Sequence, residues 1–440
     1  MRRRRLDDSG EQKDPLDGAL DSVDDALDKR LSSIERRTSE RISRIGSRLG
    51  RDRGEALVQR ASSSQTTPWG PKSMPYKAEI VAERPPASLR IRLAGEAIEI
   101  EPQISNSPME TGPETLEIDD EFLNAVCLSR CLTDDTCPEH VAAALVNAQC
   151  ELGARMPATL VQRLSELAPG TPLALRIDTQ LLDIPWEFTP LATAGGMRIM
   201  DLHPVGRIAV ARHHIPEARP QESREKLSLL VFGDPDGTLG DAGVNQTLDE
   251  LEQELADWHA EDVQPTVHRG PITRDFALET LAQGGWDVVF YMGHGCLEPC
   301  SGFAFAGEGM DAILTAQQVH DALQPARAPR IWLADACVSA RMPRDGQEPS
   351  PLAAMVLALA ARGTSYVGTS WSIHTPSAVG FALGCIGAML QGFPLGVCVS
   401  VARQFCYLEW ELISGFKMGS DPDPEAFTLY GDPGMKVVIS

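Results

Sequence analysis

No stretch of the 440 residues approaches the ~20 uninterrupted apolar residues that a membrane-crossing helix requires, so no membrane span is expected. The start, Met1 followed by Arg2 to Arg5, lacks the apolar segment of a secretory signal. Positive charge is scarce. Forty Lys and Arg stand against 62 Asp and Glu, a formal net charge of -22, which disfavours nucleic acid or anionic lipid as a partner. Ten cysteines, at 127, 131, 137, 150, 296, 300, 337, 385, 398 and 406, show no spacing of a small disulfide framework, and a reducing, cytoplasmic setting is expected. Also missing are a G-x-x-x-x-G-K-[ST] loop, a G-x-S-x-G elbow and an H-E-x-x-H helix, which argues against a P-loop NTPase, an elbow-type serine hydrolase and a zincin.

The length suits two or three domains at about 150 residues each, and the charge is unevenly spread. Residues 1–60 hold 15 basic and 13 acidic side chains, which leaves 25 against 49 for the rest. Within that first segment apolar residues recur at Leu16, Leu20, Val23, Leu27, Leu31, Ile34, Ile42, Ile45 and Leu49, a rhythm of about 3.67 residues per turn. This predicts an N-terminal amphipathic helix that cannot bury its stripe alone, and so self-association or docking of a partner. A solvated arm is the competing reading, because Gly18, Gly46 and a Ser-rich stretch weaken helix propensity. Residues 61–87, rich in Ser, Thr and Pro, read as a linker.

Residues 88–215 read as a smaller α+β part. Alternation at 88–101 and TLEID suggest strands, helical patterns follow in EFLNAVCLSRCL, HVAAALVNAQCELGARM and ATLVQRLSELA, and LALRI is a further strand. From 216 to 440 short apolar strands alternate with helical patterns: LSLLVFGD, WDVVFYMGHG, RIWLADAC and TSYVGTSW, with helices at 274–283, roughly 376–391 and 394–414, and one in which Leu248, Leu251, Leu255 and Trp258 share a face. This argues for an α/β fold with a mostly parallel central sheet and helices on both faces, where chemistry collects at the carboxyl ends of the strands.

Two such strands end in reactive residues, one running into Gly293-His294-Gly295 and the other into Asp335-Ala336-Cys337. If they are parallel, His294 and Cys337 emerge on one edge, where imidazole can take the thiol proton, and the N–H groups of Gly295 and Cys337 can serve as oxyanion donors. A Cys closing a buried strand is also a common inert core residue, and a Gly-His-Gly loop can be only a turn; the residues alone leave both readings open. Cys127, Cys131, Cys137 and His140 are a candidate zinc cluster whose spacing matches no standard module, with helix-core thiols the alternative. Cys296 and Cys300 raise the same choice between a redox lock and simple loop thiols.

Five segments in order carry a family resemblance. Leu182-Asp183-Ile184-Pro185-Trp186-Glu187, Trp286 to Gly295, Leu333 to Ser339, Gly363 to Trp371 and Phe427 to Pro433 together resemble, over about 173–435, the CHAT family of caspase-like cysteine peptidases of clan CD. The resemblance implies a caspase-like α/β sandwich, His294 as general base, Cys337 as nucleophile, an oxyanion hole from the N–H groups of Gly295 and Cys337, Ser370 and Trp371 beside the substrate, a protein substrate, and neither metal nor organic cofactor. Asp335 stands where many members carry Ser or Asn. In resembling clan CD peptidases that cut after Arg or Lys, an Asp at this offset lines the pocket for the residue before the scissile bond (P1), so cleavage after Arg or Lys is expected. The chain departs from the family in Val338-Ser339-Ala340 and Ser372-Ile373-His374, and shows no 34-residue repeat. The resemblance implies a regulated cytosolic endopeptidase, with bacterial defence or cell death as a setting. The alternative is a non-catalytic adaptor that keeps the fold. A self-cutting zymogen, cleaved in a loop such as 340–350, is a third reading.

Overall fold

The computed structural model describes residues 78–82, 85, 87–104, 112–132, 138–191, 196–210, 225–239, 244–258, 261–296, 301–342, 354–414 and 423–439. The amphipathic stripe from Leu16 to Leu49, Cys137, Cys300 and most of the 340–350 loop lie outside them. The chain divides into two units, and every described strand lies in the second, residues 74–410 with 416–440.

The strands of the second unit are β1 (Ala78–Ala82), β2 (Ala87–Ala94), β3 (Ala97–Ile104), β4 (Glu114–Glu117), β5 (Leu173–Asp178), β6 (Val205–Val210), β7 (Leu227–Gly233), β8 (Val263–Arg269), β9 (Val288–Met292), β10 (Gly295–Cys296), β11 (Gly302–Ala304), β12 (Ile313–Thr315), β13 (Ile331–Asp335), β14 (Ser365–Thr369), β15 (Phe427–Tyr430) and β16 (Met435–Ile439). Eleven form one sheet in the order β4-β3-β2-β5-β6-β15-β14-β13-β9-β7-β8. Seven of its ten neighbouring pairs are parallel. The antiparallel pairing of β14 with β15 sets the parallel run β2-β5-β6-β15 against the oppositely directed run β14-β13-β9-β7-β8, and β3 and β4 add two antiparallel pairs at one edge. Strands on both sides of residue 215 share this sheet, so the α+β part and the part after it are not separate layers.

Burial explains why the strands read as they do. In β2, Leu89 and Ile91 are buried while Arg90 is exposed, and Arg92 pairs across the sheet with Glu99 of β3, so one face is solvated and the pattern alternates. β9 and β13 are buried at every position. On one face Val289, Tyr291, Trp332 and Ala334 join a core covered by helices at 274–283, 316–322 and 355–361. On the other, Val288, Phe290, Met292, Ile331 and Leu333 pack under helices at 244–258, 375–390 and 395–414. A strand sandwiched in this way has no polar side to show.

Helix boundaries follow local chemistry. The helix Arg274–Gln283 begins where Thr273 accepts the Phe276 N–H at 3.3 Å, a side-chain N-cap, and ends at Gly284 with φ +63°, a positive φ that glycine adopts without strain. The expected linker contains a strand. β1 pairs antiparallel with β16, so a backbone partner from the far end of the sequence organises residues 78–82.

Candidate active site

The register of β9 against β13 builds the site. The strands are parallel with Met292 opposite Asp335, so His294 and Cys337, each two residues further on, leave the same edge of the sheet side by side. The Gly293 N–H donates to the Asp335 carbonyl at 3.1 Å, and the Ala304 N–H donates to the His294 carbonyl at 2.9 Å. His294 is exposed and Cys337 half-buried. Gly295 must be glycine here, since a β-carbon would lie 1.9 Å from the Cys337 carbonyl oxygen.

After Cys337 the chain turns through Val338 at φ +49°, a conformation that a β-branched residue adopts only under strain. Its surroundings hold it there. The Val338 N–H donates to the Trp371 carbonyl and the Ala340 N–H to the Thr369 carbonyl at 2.8 Å, while the Thr369 hydroxyl donates to the Ala336 carbonyl at 2.5 Å.

The Cys337 thiol donates to the Ile373 carbonyl at 3.7 Å. Burial pushes its pKa above the ordinary thiol value, and the nearby Asp335 and Asp423 carboxylates add to the rise. The resting group is therefore a thiol that needs a base. Asp335 is 5% exposed, and neither carboxylate oxygen has a hydrogen-bond partner. Burial alone lifts its pKa up to about 8.

Ser370 and Trp371 are both 3% exposed. The Ser370 hydroxyl lies 3.5 Å from that of Thr428, and its N–H donates to the Ala426 carbonyl, so the two side chains face inward. The residues of this loop that face solvent are Ser372 and His374. His374 is fixed by buried Asp423, whose Oδ2 accepts its backbone N–H at 2.7 Å and lies 2.8 Å from its Nδ1. Sequence reasoning missed this pair because its members lie 49 residues apart.

Two of the resembling segments meet at a buried guanidinium. Arg207 donates to Glu187 from Nε at 3.0 Å and from Nη2 at 2.7 Å, and to the Leu182 carbonyl from Nη1 at 2.6 Å. Nη1 also donates to the Tyr430 hydroxyl at 3.3 Å, and that hydroxyl donates to the Ala340 carbonyl at 3.4 Å. With side chains 2% and 3% exposed, Arg207 and Glu187 tie the Pro-Trp-Glu segment to the turn after Cys337.

Cys127 and Cys131 pack against the core, with burial raising both thiols, Cys127 up to about 12. His140 is exposed. Among the described residues no group of three or more His, Cys, Asp or Glu is placed to hold a metal ion, and no helix is long and apolar enough to cross a membrane. Cys296 is half-buried in β10.

The CHAT domain family model matches residues 150–409, more than half of the chain. No curated protein matches. Among solved structures, the chain is similar to the Arg-specific cysteine proteinase gingipain R at 13% identity and a TM-score of 0.43, covering 70% of this chain and 71% of that one. It is similar to the Saccharomyces cerevisiae separase–securin complex at 16% identity and 0.37, over 59% of this chain and 16% of that chain. A secreted C11 cysteine protease from Bacteroides thetaiotaomicron bound to an irreversible peptide inhibitor matches at 12% identity and 0.29, over 42% of this chain and 58% of that one.

Proposed function

Because the chain belongs to the CHAT domain family, we propose that it is a cysteine endopeptidase in which His294 and Cys337 hydrolyse peptide bonds. The observation that carries this reading is the parallel register of β9 and β13, which delivers the two residues to one edge. The imidazole of His294 takes the thiol proton as Sγ attacks the scissile carbonyl carbon. The N–H groups of Gly295 and Cys337 receive the developing oxyanion. The proton passes to the leaving amine, the C–N bond breaks, and water then hydrolyses the thioester to release the acid and restore the thiol.

Asp335 gives the site a preference for Arg or Lys before the scissile bond. A buried carboxyl with no hydrogen-bond partner is an acceptor waiting for a donor, and a guanidinium or ammonium group supplies charge and N–H together. An acidic side chain in that place would bring a second carboxyl into a buried site that, among the described residues, holds no cation for either. Residues 216–440 form the catalytic part of this reading, and the segment 1–60 receives a partner or a second copy. A reducing cytoplasm suits ten cysteines that show no disulfide-framework spacing, and regulated cleavage in defence or cell death suits such an enzyme.

A peptide library varied at P1 tests the reading with the purified full chain. Turnover concentrates on Arg and Lys and is lost in Cys337→Ala, and Asp335→Ala loses the basic preference while the thiol still reacts with small alkylating reagents. Strong turnover after Asp overturns the specificity, and full activity in Cys337→Ala overturns the dyad.

A further inference from the structure

The chain has five tyrosines, and two of them repeat one arrangement on the strands that flank β13. On β9, Tyr291 is followed two residues later by Gly293. On β14, Tyr366 is followed two residues later by Gly368. Alternation along a strand puts each glycine on the same face as its tyrosine, and the missing side chain leaves room for the phenol. A β-carbon at Gly293 would lie 2.7 Å from the Tyr291 hydroxyl, and one at Gly368 would lie 2.6 Å from the Tyr366 hydroxyl. Each ring therefore lies along its own strand toward the carboxyl edge.

The two hydroxyls reach the two loops of the site. Tyr291 Oη is 2.9 Å from the His294 carbonyl oxygen and 2.8 Å from that of Ala304. Its single O–H joins the histidine loop to β11, where the Ala304 N–H already donates to the His294 carbonyl. Tyr366 Oη donates to the Ser339 carbonyl at 2.9 Å, two residues after Cys337. Both tyrosines are completely buried, so their hydroxyls bond to protein groups rather than to bulk water. Both loops need such a hold. Gly293 and Gly295 leave the histidine loop without the β-carbons that restrict a backbone, and the turn after Cys337 is strained at Val338; a strained turn persists only where its surroundings over-determine it.

Resting on the His294 and Cys337 reading above, we propose that Tyr291 and Tyr366 are positioning residues. They form a matched pair of Tyr-x-Gly clasps that fix the histidine loop and the cysteine turn on either side of β13, so that imidazole and thiol meet in register. Neither hydroxyl takes part in the chemistry. Each acts by holding one backbone carbonyl.

The test compares Tyr291→Phe and Tyr366→Phe with Thr364→Val, all in the full chain. The Thr364 hydroxyl is a matched control, since it also donates to a buried carbonyl, that of Pro329 at 2.7 Å, but at the amino end of β14. Steady-state cleavage of the best peptide from the P1 library is measured on protein whose circular dichroism spectrum and Tm match those of the wild type, so that misfolded molecules are not counted. Each Tyr→Phe variant lowers kcat by about 10- to 100-fold, the scale of a small misplacement of reacting groups, with KM within about twofold, whereas Thr364→Val keeps the wild-type kcat. If Cys337→Ala is inactive and both Tyr→Phe variants keep full kcat, the clasps are refuted while the dyad stands. Equal losses in all three variants, or loss of the wild-type circular dichroism spectrum and Tm in the Tyr→Phe proteins, would mean a purely structural role and overturn the proposal. Activity in Cys337→Ala overturns the underlying dyad instead.

Discussion

A β-carbon on Gly295 would stand 1.9 Å from the carbonyl oxygen of Cys337. The histidine loop and the cysteine turn approach so closely that one hydrogen in place of a side chain sets their spacing. Gly295→Ala should push the loops apart by a fraction of an ångström to an ångström while the sheet stays folded. The expected result is a fall in kcat of about 10²-fold with little change in Tm, measured by peptide cleavage alongside thermal unfolding.

The thiol offers a second test. Burial raises the Cys337 pKa above the ordinary value of 9.0, so alkylation of Cys337 by iodoacetamide, which consumes thiolate and is followed on the Cys337 peptide by mass spectrometry, should still be accelerating above pH 9. In His294→Ala that profile should barely move while peptide cleavage disappears, because the imidazole acts as a base during attack rather than as a standing ion-pair partner. A midpoint near pH 6 that is lost in His294→Ala would mean that a preformed ion pair is present instead.

Asp335 makes stability depend on pH. Its folded pKa of about 8 lies above the ~3.9 of an unfolded carboxyl, so folding takes up a proton between those values. This contribution to stability therefore falls as pH rises from about 4 toward 8 and levels off beyond. Asp335→Asn removes the titration. The variant should gain about 1–3 kcal/mol over wild type at pH 8, the scale of an unsatisfied buried group, and much less at pH 4. Denaturant unfolding at the two pH values checks it, and an equal difference at both would contradict the account.

Glu187 and Arg207 hold the junction of the segments that carry the family resemblance. Glu187→Gln leaves the Arg207 guanidinium buried without its countercharge, which should cost about 3–5 kcal/mol. Glu187→Gln with Arg207→Met should recover part of that loss. Chemical denaturation of the two variants reads both effects.

The central strands were legible in the sequence because layers on both faces turn them into unbroken apolar runs such as Val288–Met292. The helix Arg274–Gln283 was legible because Thr273 and Gly284 mark its ends. Other features depend on partners far along the chain and leave no local trace. β1 becomes a strand through β16, and β6 joins the sheet beside β15 through the pairing of Arg207 with Tyr430. The same holds at the site. His294, Gly295, Cys337 and Asp335 stand out as strand-end residues, whereas the inward turn of Ser370 and Trp371 and the clamp of Asp423 on His374 arise only when β14 and β15 come together.

Peptide cleavage by the purified full chain, set beside the same assay with Cys337→Ala, tests the central claim most directly. The account predicts hydrolysis by the wild type and none above background in a Cys337→Ala protein with the wild-type circular dichroism spectrum and Tm. Undiminished hydrolysis by that variant would contradict it.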